Sequence, residues 1–336
     1  MLPTLKFKAD DRSLVYLGCT FALLALLWNT GFNAFAYFLL LFFSMTMAVV
    51  AHNTSHQGIF EEKWANKIMD YVVSMAYGNP IFAWTPTHAQ NHHLFANREG
   101  DEAISWRWTN RNTWWMALLY YPMCAYYQTK LVNPYLGRLW KTRRKDFFIT
   151  ISEHVVFYGY MAVLFYIDWR KAILFALIPQ QFSLWCVHFF NYVQHVDCDL
   201  DSKWNHSRNF TGRWLNAFLF NNGYHFVHHW KPMAHWSELK DLHAQVQHLI
   251  HPELQFENVF SHLGRQYVIG AFVKNPSPDF TGHIGSVERQ KAPPVPETWS
   301  GYDGRFPGDN KPHVVGAPLP VVRRATAKKA SGKKAA

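Results

Sequence analysis

Residues 221–230 read Asn221-Asn222-Gly223-Tyr224-His225-Phe226-Val227-His228-His229-Trp230, with three imidazoles inside five residues. Read as a helix, the stretch places His228 and His229 at i+3 and i+4 from His225, on one face. Neutral imidazoles held that way are ligands for Fe, Cu or Zn. An isolated HxxHH is more often a surface patch or a crowded helix end, so the reading depends on partners elsewhere in the chain. They are present. His52-Asn53-Thr54-Ser55-His56 is HxxxH, His88-Ala89-Gln90-Asn91-His92-His93 is HxxxHH, and Asn191-Tyr192-Val193-Gln194-His195 is NxxxH. Each carries an i,i+4 pair of metal-capable side chains. At their motif positions the boxes supply nine histidines and one asparagine, Asn191. Three or four protein ligands are usual at one zinc, so nine imidazoles imply two metals.

The apolar segments around the boxes set the fold class. Ser13 to Phe60 contains no Asp, Glu, Lys or Arg, and Asn29-Thr30-Gly31 marks a turn inside it. This predicts two transmembrane helices, about 13–28 and 32–51, with His52 on a continuation of the second. A cleavable signal peptide fits less well, because the first block runs straight into the second. Phe147 to Ile167 and Ala172 to Tyr192 are read as two further spans, the last kinked by Pro179. Ile68–Trp84 and Thr113–Tyr127 are too short or interrupted to span. They are expected at the interface, lining a substrate tunnel, or packed as core.

With four spans (13–28, 32–51, 147–167 and 172–192), every box falls on one side of the membrane, the side of both termini. The basic cluster Lys141, Arg143, Arg144 and Lys145 makes that side cytoplasmic. The expected fold is an all-α integral membrane protein. Four transmembrane helices carry a cytoplasmic helical cap that holds a His-rich dimetal site. Residues 1–274 form this membrane domain, with amphipathic cytoplasmic helices from Leu239 to about Phe272. Residues 275–336, rich in Pro, Gly and charge, are expected to be a largely disordered basic tail.

Composition agrees with this assignment. The chain has 336 residues, 17% of them aromatic, and a net charge of +10. From Lys311 to Ala336 there are seven Lys or Arg and no Asp or Glu. That tail lacks the aromatic interleaving and the fold of a nucleic-acid reader. It is read as solvated and attracted to anionic lipid, with no nucleic-acid partner. Cys19, Cys124, Cys186 and Cys198 form no CxxC, so free thiols are expected.

The set HxxxH, HxxxHH and HxxHH, preceded by NxxxH, resembles the membrane fatty acid desaturase superfamily, whose relatives include hydroxylases, ketolases and alkane monooxygenases. The resemblance runs from about Ser13 to about Leu239. Asn97 and Asp101 after box two, and Pro232 after box three, match as well. It implies two non-haem irons bound by His52, His56, His88, His92, His93, His195, His225, His228 and His229, with Asn191 holding a water on one iron. It further implies O2 as co-substrate, a fatty acyl substrate, and an external electron donor: a ferredoxin, a rubredoxin or a b-type cytochrome with its reductase. The chain has no G-x-G-x-x-G or Walker motif of its own. Box one carries Asn53 where many relatives have an acidic residue. Box three opens with His and not Gln, and no cytochrome-like segment is fused, unlike the front-end desaturases.

Removing hydrogen from an unactivated methylene needs a strong oxidant, which iron and O2 provide and side chains do not. Two abstractions give a double bond, the expected reaction. One abstraction followed by oxygen rebound gives a hydroxyl, and loss of the carboxylate gives a terminal alkene. The rival class is a His-rich metal transporter, whose sites lie near the bilayer midplane, whereas these boxes lie at or beyond helix ends. Asp101, Asp197 and Asp199 stand near the boxes and are either imidazole partners or solvated loop carboxylates. His188 is read as a satisfied core histidine or a lining residue. Glu153 and His154 are ionisable groups inside a span, where such groups are unusual.

Overall fold

The computed structural model describes residues 2–273, 278–281 and 283–289. Its first element is a hairpin of helices α1 (Asp11–Thr30) and α2 (Ala34–His56). Gly31, at φ 86°, ends α1 in a backbone region that costs glycine least. The Asn33 side chain then accepts the Ala36 N–H and starts α2. Both helices are long and apolar enough to cross a membrane. Helix α2 runs on through His52 and His56, so box one sits on its last turns.

Helix α3 (Lys63–Tyr77) stops at Gly78, φ 100°. A Cβ added there would lie 2.5 Å from Gln180 Cβ, so the turn is seated against α7 (Ile178–His195). The chain then turns back through Ile81–Ala83, a π-helical stretch Thr85–His92 and the single turn α4 (His93–Phe95). Two side chains from other helices cap the start of this run. Ser74 Oγ accepts the Ile81 N–H at 3.0 Å, and Glu153 accepts the Phe82 N–H at 2.8 Å. Glu153, on α6 (Arg144–Lys171), is buried and also paired with Lys67. An ionisable group at that depth persists because both its charge and its lone pairs are answered.

Helix α5 (Trp114–Thr142) continues past Pro122 and Pro134. Between α6 and α7 the backbone leaves helical geometry at Asp168 (φ −157°, ψ 97°), and a wide π-helical turn, Ala172–Leu177, follows. Pro179 lies where this π-helical turn passes directly into α7, so the distortion expected of it is a local change of winding within one continuous helix. Among the described residues only α1, extended back to Lys8, and α2 have the length and hydropathy of a span. Helices α6 and α7, expected as two further spans, do not meet that measure; they carry Glu153 and His154, and Gln180, Gln181 and His188.

The main core joins α2, α3, α7 and the box-three segment through Met47, Val50, Val73, Phe220, Phe226 and Val227. Short helices α8 (Arg213–Phe218), α9 (His225–Trp230), α10 (Leu239–Val246) and α11 (Val259–Leu263) close one end. A parallel two-residue pair, β1 (Asn209–Phe210) with β2 (Gln255–Phe256), and the isolated bridges Leu5–Phe60 and Ser202–Arg289 depart from the all-α expectation. Ordered structure extends past residue 274. Ile284–Ser286 forms a 3₁₀ turn, Ser202 donates to the Gly285 carbonyl, and Lys203 pairs with Glu288. The rest of the basic tail lies outside the described residues. All four cysteines are free thiols.

Candidate metal centre

The nine box histidines converge from four separate segments into two groups. His52, His56, His88, His93 and His228 form one; His92, His195, His225 and His229 form the other. Within each group the ligand-capable atoms all lie within 4.8 Å of one another. In the first, Nε2 of His52 is 2.9 Å from that of His88 and 2.8 Å from that of His228, and the His88 and His93 pair is at 3.0 Å. In the second, His195 Nε2 is 3.1 Å from His92, 2.9 Å from His225 and 3.2 Å from His229. Nitrogens aimed at one point at these separations fit a shared ion about 2.0–2.1 Å from each.

The spacing argument assigned some partners differently. His88 and His92, an i,i+4 pair, belong to different groups; His88 shares its group with His93 at i+5. The π-helical winding of Thr85–His92 is the cause, because i and i+5 meet where bonds run i→i+5. In α9, His225 and His229 stay together at 3.2 Å, while His228 joins the other group. Adjacent residues on a helix point about 100° apart, so one short helix serves both groups. Asn191, expected to hold a water, lies one helical turn before His195 in α7. Its amide donates to Tyr120 Oη at 2.9 Å, and it lines the cavity described below.

The outer partners hold the rings. The Nδ1–H of His92 donates to Asp101 Oδ2 at 2.7 Å. Asp101 is fully buried and also accepts the N–H groups of Asn97 and Ala103. Burial raises its pKa, but the hydrogen bonds from the His92 ring and from the N–H groups of Ala103 and Asn97 outweigh that and leave it lowered, hence ionised. His195 donates from Nδ1 to the His206 carbonyl at 3.2 Å, and His52 from Nδ1 to Asn53 Oδ1 at 3.2 Å. Asp197 and Asp199 do not reach a box histidine: Asp197 accepts from Asn112, and Asp199 pairs with Arg289. Burial, and then the neighbouring rings, push His88, His93, His225, His228 and His229 well below the usual imidazole pKa. They are therefore neutral, with lone pairs free for a metal.

Sequence spacing did not mark Arg208. It is buried, and Nη1 donates to the carbonyls of Val193 and Val196, where α7 ends beside His195. The helix C-terminus answers its charge. Asn97, at φ 66°, donates to the His195 carbonyl and ties box two to α7. Replacing Asp101 by Ala is expected to weaken metal binding in the four-histidine group by roughly 10–100-fold and to spare the five-histidine group. Metal retained per chain during dialysis against graded chelator measures this.

A cavity of about 520 Å³ reaches both groups, touching His52 and His88 of one and His92 and His225 of the other. Tyr77, Gly78, Phe82 and Ala83, with Tyr121 and Ala125, line part of its wall, while Met116, Ala117, Met123 and Cys124 pack in a core. A family model, "Fatty acid desaturase", matches residues 15–258, well over half the chain. The chain belongs to the fatty acid desaturase family. No curated protein and no solved structure matches it. For a desaturase-family protein, the donor set is purely imidazole in both groups, with no thiolate and no carboxylate. That set suits first-row transition metals and not Mg or Ca.

Proposed function

We propose that this protein is a membrane-bound, non-haem di-iron oxidoreductase that desaturates a fatty acyl chain. The observation that carries the reading is the pair of buried imidazole groups side by side on one cavity in a desaturase-family chain. His52, His56, His88, His93 and His228 would hold one iron. His92, His195, His225 and His229 would hold the other, with a water fixed by Asn191. Bound iron, supplied with O2 and electrons from a ferredoxin, rubredoxin or b-type cytochrome, provides the oxidant that an unactivated methylene requires. The cavity receives the acyl chain and keeps bulk water from it, and Asp101, Asn53 and the His206 carbonyl hold ring orientation.

Large apolar side chains exposed on α1 and α2 (Leu26, Phe35, Phe38) and on α6 (Val155, Val163, Ile167) support a four-span membrane domain over residues 1–274. A water-soluble surface rarely carries so large an apolar area. The termini and metal site then face the cytoplasm. Hydroxylation or oxidative decarboxylation would use the same residues, and product analysis separates them. The purified protein in detergent should hold about two irons per chain. With O2, a reduced carrier and a panel of acyl substrates, it should yield a product lighter by two hydrogens. A gain of one oxygen, or a shortened terminal alkene, would change the reaction assigned. An iron-free protein that moves zinc across vesicles would overturn the enzyme reading.

A further inference from the structure

The two histidine groups differ in what answers their charge. In the four-histidine group the His92 Nδ1–H meets a carboxylate, Asp101, directly. In the five-histidine group the His52 Nδ1–H meets only an amide oxygen, Asn53 Oδ1. Among the described residues no carboxylate pairs with a ring of the five-histidine group. A divalent ion among neutral imidazoles is a buried charge, and such a charge is costly unless an opposite one answers it.

A buried carboxylate that neither group uses stands close by. Asp10, immediately before α1, lines a cavity of about 20 Å³ together with His235, Asn53, His56, Gln57 and His228. Ser13 Oγ and Trp236 Nε1 each donate to Asp10 Oδ1 at 2.9 Å. The Ser237 N–H donates to His235 Nδ1, so the His235 proton is on Nε2 and is donated to Asp10 Oδ2 at 3.1 Å. Both Asp10 oxygens accept, as those of an ionised carboxylate do, and Oδ2 keeps a lone pair to spare. The Arg12 guanidinium stacks on Phe220 and Trp236, 4.4 and 4.5 Å from their centroids, and forms no ion pair with Asp10 among the described residues. Two buried atoms of the lining side chains, Asn53 Nδ2 and Gln57 Oε1, have no protein partner among the described residues. A polar cavity of this size holds one water, given two to four partners.

We propose that Asp10 is the counter-carboxylate of the five-histidine group, acting on His52 through one buried water and Asn53. Every donor in this chain points the same way. His52 Nδ1–H donates to Asn53 Oδ1, Asn53 Nδ2–H to the water, and the water to Asp10 Oδ2 and Gln57 Oε1. Hydrogen bonds in series polarise one another, so the carboxylate fixes the His52 tautomer and strengthens the ring as a ligand. Asp10 is thus a positioning residue supplied from outside the histidine boxes. The inference rests on the reading that the five-histidine group holds a metal, and adds a residue to it.

The test is titration of the metal-free, detergent-purified full chain with Co2+ in a chelator buffer, read by the absorption of the bound ion without turnover. Two binding steps are expected, and the step that His228→Ala shifts belongs to the five-histidine group. Asp10→Asn should weaken that step roughly 10-fold, the low end for an outer partner, and leave the other step within ~3-fold. Asn53→Asp places a carboxylate directly on the His52 Nδ1–H. On that background Asp10→Asn should cost under ~3-fold, because two residues acting through one another do not add. His235→Gln keeps the Asp10 carboxylate and should also cost under ~3-fold. A merely structural Asp10 would give the same loss with Asn53 or Asp at 53, and as large a loss in His235→Gln. Either result, or unchanged Co2+ binding in Asp10→Asn, would overturn the inference. A chain that binds no Co2+ would overturn the metal-centre reading and this inference with it. Two Co2+ steps with the expected coupling, but no O2-dependent product from the iron-loaded protein, would leave the role of Asp10 standing and count against the oxidase reading.

Discussion

His225→Ala is expected to take the protein from about two metals per chain to about one and to lower turnover at least ~100-fold, more than loss of an outer partner does. His228→Ala should lower turnover as far yet lose less metal. The asymmetry follows from ligand number. His225 is one of four imidazoles in its group, so its removal leaves three, whereas His228 is one of five and leaves four. Both side chains are buried among other rings, so neither vacated site is readily filled by another protein donor. Metal content after dialysis at a series of free-metal concentrations, with turnover on the same samples, separates the two variants. Equal metal loss, or full turnover in either, would contradict the division into five and four.

Gly223→Ala is expected to destabilise the box-three segment by about 3 kcal/mol or more, with loss of metal as the visible result. A Cβ at residue 223 would lie 2.0 Å from the Phe210 carbonyl oxygen and 2.7 Å from Asn216 Oδ1. Neither neighbour is free to retreat. Phe210 is fixed by its pairing with Phe256 and donates its own N–H to the Gly223 carbonyl at 2.8 Å. Asn216 accepts the Gly223 N–H and donates to Phe210 and Gly212. Residue 223 stands two positions before His225, so any shift there moves the ring that serves the four-histidine group. Gly137→Ala is the matched control, because its Cβ would meet nothing within 4 Å and the site is helical. It should be neutral or stabilising by up to ~1 kcal/mol. The half-life of metal retention at fixed temperature distinguishes the pair, and a long-lived Gly223→Ala protein would refute the packing argument.

Much of this protein was legible from local pattern. A charge-free run with a Gly31 break predicts the α1–α2 hairpin, because apolar length and one turn residue suffice for it. The spacing of His, Asn and Pro identified the family and named every histidine that converges. Asp101 was marked by its closeness to box two, although Asp197 and Asp199 had the same mark and point elsewhere. Neighbourhood in sequence does not say which carboxylate faces a ring.

The sequence by itself determined which histidines gather into the two groups and which family the chain belongs to, since both follow from residue type and spacing along one chain. Only the tertiary structure decided how nine imidazoles divide into five and four. That division depends on the π winding of Thr85–His92 and on where α9 sits relative to α2 and α7. It also depends on distant caps, Glu153 on the Phe82 N–H and Arg208 on the end of α7, which no spacing rule reports. Helical period sets the angle at which a side chain leaves its own helix. Which other side chain it meets is set by packing among segments as much as 176 residues apart, as His52 and His228 are.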